Sequence, residues 1–241
     1  MKRQRVLVTG ASKGIGRATM QRLAEDGYQA VGLARTVPSE QREGEEFHAV
    51  DLTDLDALKA KLAELTAGGP FWGLVNNAAM SPVTSLEDCT LQDMHDAIQL
   101  NLLATLVCTQ AVTPAMRQAK AGRIVNISSR AALGKINRTA YSATKAGLVG
   151  MTRTWALELA ADAVTVNCIA PGPVLTELFK TASPPDDPKT IALMAAVPLK
   201  RASEPSELAH FVSFLLDPRS GFMTGQTLYV DGGLTVSAVH L

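Results

Sequence analysis

Val6-Leu7-Val8-Thr9-Gly10-Ala11-Ser12-Lys13-Gly14-Ile15-Gly16 decides the fold. The opening apolar residues read as a short buried strand. The pattern beyond, with Ala18, Leu23 and Ala24 apolar, reads as a helix that Gly27 ends. Between them lies a glycine-rich turn. Strand, turn and helix in that order make a phosphate site, because glycines let backbone N–H groups come close and the helix N-terminus attracts negative charge. The spacing is G-x-x-x-G-x-G (Gly10, Gly14, Gly16), not G-x-G-x-x-G. A glycine turn that holds nothing has the same composition, so its position directly after the first strand carries the reading. Gly10, Ser12, Lys13, Gly14, Ile15 and Gly16 are therefore the candidate phosphate-binding residues.

Downstream, Ala30-Val31-Gly32-Leu33 reads as the second strand, followed by Arg35. Dinucleotide folds use an acidic residue near this point to hold the adenosine 2′-hydroxyl, and none appears here. Arg35, helped by Lys13, suits a 2′-phosphate instead, which points to NADP(H), with NAD(H) as the alternative; two solvated surface cations are the rival reading. Pro38 and the charges up to Glu46 predict a short second crossover with a reduced helix. Phe47-His48-Ala49-Val50 reads as the third strand, with Asp51 and Leu52 at its carboxyl end, where ligands of open α/β sheets bind. Asp51 could hydrogen-bond the adenine or cap the next helix, a role open equally to Thr53.

Leu55, Leu58, Leu62 and Leu65 recur at helical spacing and read as core. Gly73-Leu74-Val75 then leads into Asn76-Asn77-Ala78-Ala79, whose amides suit either the crevice or a turn. Asn101 stands in a helical stretch from Leu91 to Met116 among leucines, where a buried amide must find partners. Ile124-Val125-Asn126-Ile127 ends in Ser128-Ser129, and a helix holding Tyr141 runs to Leu159. Val164 to Ile169 is a further strand, ending in Ala170-Pro171-Gly172-Pro173. Residues 176–205, broken by prolines, form a lid candidate; a last helix from Pro205 to about Leu216 and a strand at Thr227–Val230 close the chain. Strand–helix alternation without repeat or linker predicts one α/β domain over 1–241. The alternation implies a parallel sheet with helices on both faces and right-handed crossovers.

Lys+Arg and Asp+Glu number 23 each, so zero net charge gives no electrostatic case for nucleic acid or an anionic membrane. Three cysteines without a CxxC pair fit a reduced, cytoplasmic setting, and four scattered histidines offer no metal site. No apolar run approaches the roughly 18–20 residues of a membrane span.

Tyr141 and Lys145 are four residues apart, hence on one helix face. A neighbouring ammonium lowers a phenol's pKa and makes it a usable acid/base. An isolated pair of this kind is commonly an ordinary surface feature, and the surrounding motifs decide the matter.

Those motifs are TGASKGIG (9–16), DLTD from Asp51, NNAA (76–79), Asn101, NISS (126–129), YSATK (141–145), PGPVLT (171–176) and MTGQTLYVDGG ending at Gly233. In that order and spacing, over essentially the whole chain, they resemble the short-chain dehydrogenases/reductases. The resemblance implies an α/β, Rossmann-like, doubly wound parallel sheet, a nicotinamide cofactor and a catalytic set of Asn101, Ser129, Tyr141 and Lys145. Tyr141 would exchange a proton with the substrate oxygen, Ser129 would hydrogen-bond that oxygen, and Lys145 would hold the nicotinamide ribose and depress the Tyr141 pKa. Asn101 would anchor a water that relays protons to Lys145. Asn77, Ala78, Pro171, Gly172, Val174 and Thr176 would complete the cofactor site. NNAA stands where NNAG is commoner. Counting back the family's usual thirteen residues from Tyr141 reaches Ser128; aligning the strand reaches Ser129, which is preferred because a loop tolerates a deletion and a strand register does not.

The closest-looking branch is the 3-oxoacyl-carrier-protein reductases, whose carrier-protein users tend to have a basic residue where this chain has Asp162. A small ketone or secondary alcohol is therefore the expected substrate. Arg130 and Arg138 read as solvent-facing loop cations ahead of an anionic-substrate role. The rival class is a catalytically silent NADP(H)-binding regulator, disfavoured because Tyr, Lys and Ser are all present. Family likeness and the apolar segment Leu234–Leu241 imply a homotetramer.

Overall fold

The computed structural model describes residues 3–237. Seven parallel strands form one sheet: β1 (Arg5–Thr9), β2 (Gln29–Ala34), β3 (Glu45–Ala49), β4 (Gly73–Asn76), β5 (Gly122–Ile127), β6 (Val164–Pro171) and β7 (Thr227–Val230). Their order is β3-β2-β1-β4-β5-β6-β7, so the winding reverses between β1 and β4. Such a switch point opens a crevice at the carboxyl ends of the strands.

The central strands are buried along almost their whole length because both faces are covered. Val6 and Val8 of β1 join a core that includes Met20 and Leu23 of α1 (Gly14–Glu25) and Leu208, Val212 and Leu215 of α8 (Pro205–Leu216). Leu7, between them, turns to the other face. That face packs under α2 (Leu55–Ala67), α4 (Ala104–Ala119) and α5 (Thr139–Leu159). The leucine stripe of α2 behaves as expected, with Leu58, Leu62 and Leu65 buried and Leu55 packed at the edge. Neither Asp51 nor Thr53 caps α2; Asp54 does, accepting from the N–H groups of Asp56 and Ala57.

Three expectations need correction. The second crossover carries no helix at all: residues 35–44 are irregular, since Pro38 and the charges leave no apolar face to bury. The stretch from Leu91 is a composite of α3 (Leu91–Ile98), one π-helical turn (Gln99–Leu103) and α4. By length and a mean hydropathy of 1.2, Leu91–Ala119 does qualify as a membrane-span candidate. Its polar stripe is engaged inside the protein, Thr109 Oγ1 accepting from Asn76 and Asn101 bonding to Thr144, so it serves as a core helix. Third, the lid segment is helical, with α6 (Glu177–Ala182) and α7 (Pro188–Ala196). Its ends are clamped side by side: Leu175 N–H donates to Ser203 O and Ser203 N–H to Pro173 O. Of the apolar C-terminal segment, residues 238–241 lie outside the described residues.

Candidate active site

A crevice of about 1070 Å³ opens at the switch point. The loops after β1 and β4 are stitched across it. Thr9 Oγ1 accepts from the N–H groups of Asn77 (2.9 Å) and Ala78 (3.1 Å), and Asn77 Nδ2 donates back to Thr9 O (3.0 Å) and Gly10 O (3.2 Å). Asn76 turns into the core instead, donating to Asn126 Oδ1. The stitching role of Thr9 was not read from the sequence, although a hydroxyl at a strand's carboxyl end is a signal for it.

Gly10, Ser12, Lys13, Gly14 and Ile15 line the crevice. Gly16 stands behind them, where a Cβ would fall 2.1 Å from Gly10 O, so α1 packs against the turn through a position only glycine fits. Gly10 has φ +65° and its own Cβ would meet Ala78 Cα at 2.9 Å. Lys13 is the N-cap of α1 yet supplies no side-chain cap, which leaves the first helical N–H groups for an anion. Arg35, Asp51 and Leu52 line the end beyond β2 and β3. Arg35 and Lys13 are exposed, and neither has an ion-pair partner among the described residues. The Asp51 carboxylate accepts from Thr53 N–H and Oγ1, bonds that hold its pKa below the ordinary value.

Ser129, Tyr141 and Lys145 share the opposite end with Pro171, Gly172, Val174 and Thr176. The Thr176 hydroxyl caps α6, accepting from Phe179 N–H at 3.1 Å. The two serines differ. Ser128 is 3% exposed and donates to Lys145 O at 2.7 Å, so its hydroxyl is spent on joining β5 to α5. Ser129, one residue on, stands beside the Tyr141 phenol and lowers its pKa.

Lys145 is 1% exposed, donates from Nζ to Ile127 O at 2.7 Å, and is pushed by burial to a pKa of about 8. The expected depression of the Tyr141 pKa by Lys145 does not appear. Burial dominates and raises it, and the groups opposing burial are Ser129 and then Arg138. Nζ lies 5.6 Å from the ring centroid and aims at a carbonyl. Asn101 does not line the crevice. Buried in the π-helical turn, it accepts from Met80 N–H and donates to Met80 O and Thr144 Oγ1, tying the loop after β4 to α5 one residue from Lys145. Arg138 is another correction: Nη1 donates to Ser81 O (2.7 Å), Ser81 Oγ (3.1 Å) and Pro82 O (3.2 Å), so it braces a loop rather than facing solvent.

Residues 10–235 match the profile of the family described as enoyl-(acyl carrier protein) reductase. The (2S)-[(R)-hydroxy(phenyl)methyl]succinyl-CoA dehydrogenase subunit BbsD of Thauera aromatica is 38% identical, with 96% of each chain covered. A solved structure described as a short chain dehydrogenase/reductase family protein is 35% identical, at TM-score 0.86 with 97% of this chain and 98% of that one covered. The chain belongs to the short-chain dehydrogenase/reductase family. A 3-oxoacyl-[acyl-carrier-protein] reductase of Staphylococcus epidermidis is 36% identical over 95% of this chain and 97% of its own. A gluconate 5-dehydrogenase structure from Beutenbergia cavernae, described as putative and with bound NADP, has TM-score 0.90 at 31% identity, covering 98% of each chain.

This member of the family is accordingly a nicotinamide-dependent oxidoreductase of a CH–OH/C=O pair. Its own residues fit that cofactor: the glycine turn leaves room for a pyrophosphate against uncapped helical N–H groups, and the crevice exceeds what a substrate alone would need. Among the described residues no cluster of metal-ligating side chains occurs.

Proposed function

We propose that the protein interconverts a ketone or 3-oxo compound and a secondary alcohol with NADP(H) in preference to NAD(H). The observation carrying the cofactor reading is the pair of unpartnered cations, Lys13 and Arg35, at the crevice end where an acid would otherwise hold a ribose hydroxyl. When bound, the nicotinamide supplies or accepts the hydride. Tyr141 gives the proton to the carbonyl oxygen in reduction and takes it back in oxidation. Ser129 donates a hydrogen bond to the same oxygen and so favours the developing alkoxide. Lys145, its pKa lowered by burial to about 8 and so still mostly an ammonium near pH 7, holds the ribose hydroxyls. Asn101 keeps the Met80 loop and α5 in register and so acts as a positioning residue beside Lys145.

The acyl-carrier reading draws on the Staphylococcus epidermidis relative. The surface at the end of α5 weakens it: Asp162 accepts from Arg117 (2.7 Å) and from Lys120, so two cations that could meet an acidic carrier are drawn onto one carboxylate, which offsets part of their charge. Exposed Leu157 (82%) on α5 and Leu103 at the π-helical turn before α4 support a homotetramer, and three free cysteines suit the cytoplasm. Fluorescence titration with NADPH and NADH tests the cofactor reading. NADPH should bind about 10–100-fold tighter in the wild type, and Arg35→Asp should abolish that difference. Equal binding in the wild type would make Arg35 and Lys13 surface charges.

A further inference from the structure

Beyond Tyr141 the crevice wall holds three cations that the proton chemistry leaves unused: Arg130, Lys135 and Arg138, all on the loop between β5 and α5. Arg138 is held in place by Ser81 and Pro82, and the loop is zipped further by Thr84 N–H donating to Asn137 O. Its charge reaches the Tyr141 phenol. Lys135 is exposed at the rim, where partial desolvation and then the charges of Arg138 and Arg130 lower its pKa. None of the three has a carboxylate in ion-pair contact among the described residues.

Like charges gathered on one wall repel, and other cations of this chain are relieved by pairing. Asp162 takes Arg117 and Lys120, Glu207 takes Arg201, and Asp217 takes Arg219. The crevice's own acids are engaged elsewhere or open the lid: Asp51 bonds to Thr53 at the far end, Asp96 accepts from Gln92, and Glu177 begins α6. The unrelieved set thus borders the space that a substrate bound at Tyr141 must enter. Met80 and Leu193 in the same lining suit a short alkyl spacer.

We propose that Arg130, Lys135 and Arg138 form an anion subsite, and that the substrate is a carbonyl compound or secondary alcohol bearing a carboxylate or a phosphate. The inference rests on Tyr141 as the proton donor, since the subsite is located from that phenol.

The test compares kcat/KM with NADPH for acetoacetate and levulinate, each beside its methyl ester, and for hydroxyacetone phosphate beside hydroxyacetone. At least one anion should be preferred over its neutral partner by about tenfold or more. Arg130→Gln and Lys135→Gln should each lower that ratio at least about threefold, with circular dichroism and melting as fold controls. The carboxylate and phosphate pairs report which anion is meant. Neutral partners used as well as every anion, or a ratio unmoved in both variants, would overturn the subsite. No turnover of any ketone, neutral or anionic, would overturn the carbonyl reading and the subsite with it.

Discussion

Lys145→Met separates what the site costs from what it does. Burial pushes the Lys145 pKa from 10.5 to about 8, so near pH 7 the folded protein holds an ammonium in surroundings that disfavour it. That depression corresponds to a penalty of about 3 kcal/mol at neutral pH. Methionine fills the volume of the lysine stem without the charge. It leaves Ile127 O without its 2.7 Å donor, which costs about 1–3 kcal/mol. The balance makes the variant as stable as the wild type, or up to about 2 kcal/mol more stable, at neutral pH. The sign reverses with pH. Because the folded pKa is below the unfolded one, the unfolded chain binds more protons between about 8 and 10.5, and the lysine's penalty fades as pH rises through that window. Wild-type stability should therefore gain on the variant across it. Urea melts of both proteins at neutral pH and at about pH 10 read the effect directly. A variant less stable by more than about 3 kcal/mol at neutral pH, or a difference that does not move with pH, would refute the reasoning.

Gly16→Ala should lower stability by about 1–3 kcal/mol and weaken dinucleotide binding, because its Cβ would fall 2.1 Å from Gly10 O; an unchanged Tm and titration would contradict the packing argument. Ser129→Ala should reduce kcat by about 10²–10³, with little change in melting. Ser128→Ala should show the converse, losing about 1 kcal/mol of stability while kcat stays within a fewfold, since its hydroxyl is spent on Lys145 O. Equal effects of the two serines on kcat would remove the distinction between them.

The switch-point architecture was legible because its signals are local: an apolar run, a glycine turn, and side chains at strand ends. Helical spacing put Tyr141 and Lys145 on one face, the surrounding motifs set the pair apart from an ordinary surface feature, and aligning the strand preferred Ser129, which stands beside the phenol. Partnerships formed between distant segments were not. Nothing near Arg138 in sequence says that Ser81 and Pro82 will hold it, fifty-odd residues away. Asn101 gave a buried amide but not its partners, which come from a loop and a helix on either side of it in the chain. The Tyr141 pKa also depends on three-dimensional packing: spacing put Lys145 beside the phenol, whereas the fold aims its ammonium at Ile127 O. Asp54 displaced Asp51 and Thr53 as a cap because each is a competent N-cap and only backbone geometry chooses among them.

In the proposed reaction the Tyr141 phenol is the group that moves the proton. Steady-state reduction of a ketone by NADPH-saturated Tyr141→Phe tests it most directly, since the ring remains and only the hydroxyl is lost. Cofactor binding should stay within a fewfold of wild type while turnover falls by about 10²–10⁴. Turnover at the wild-type rate would contradict it.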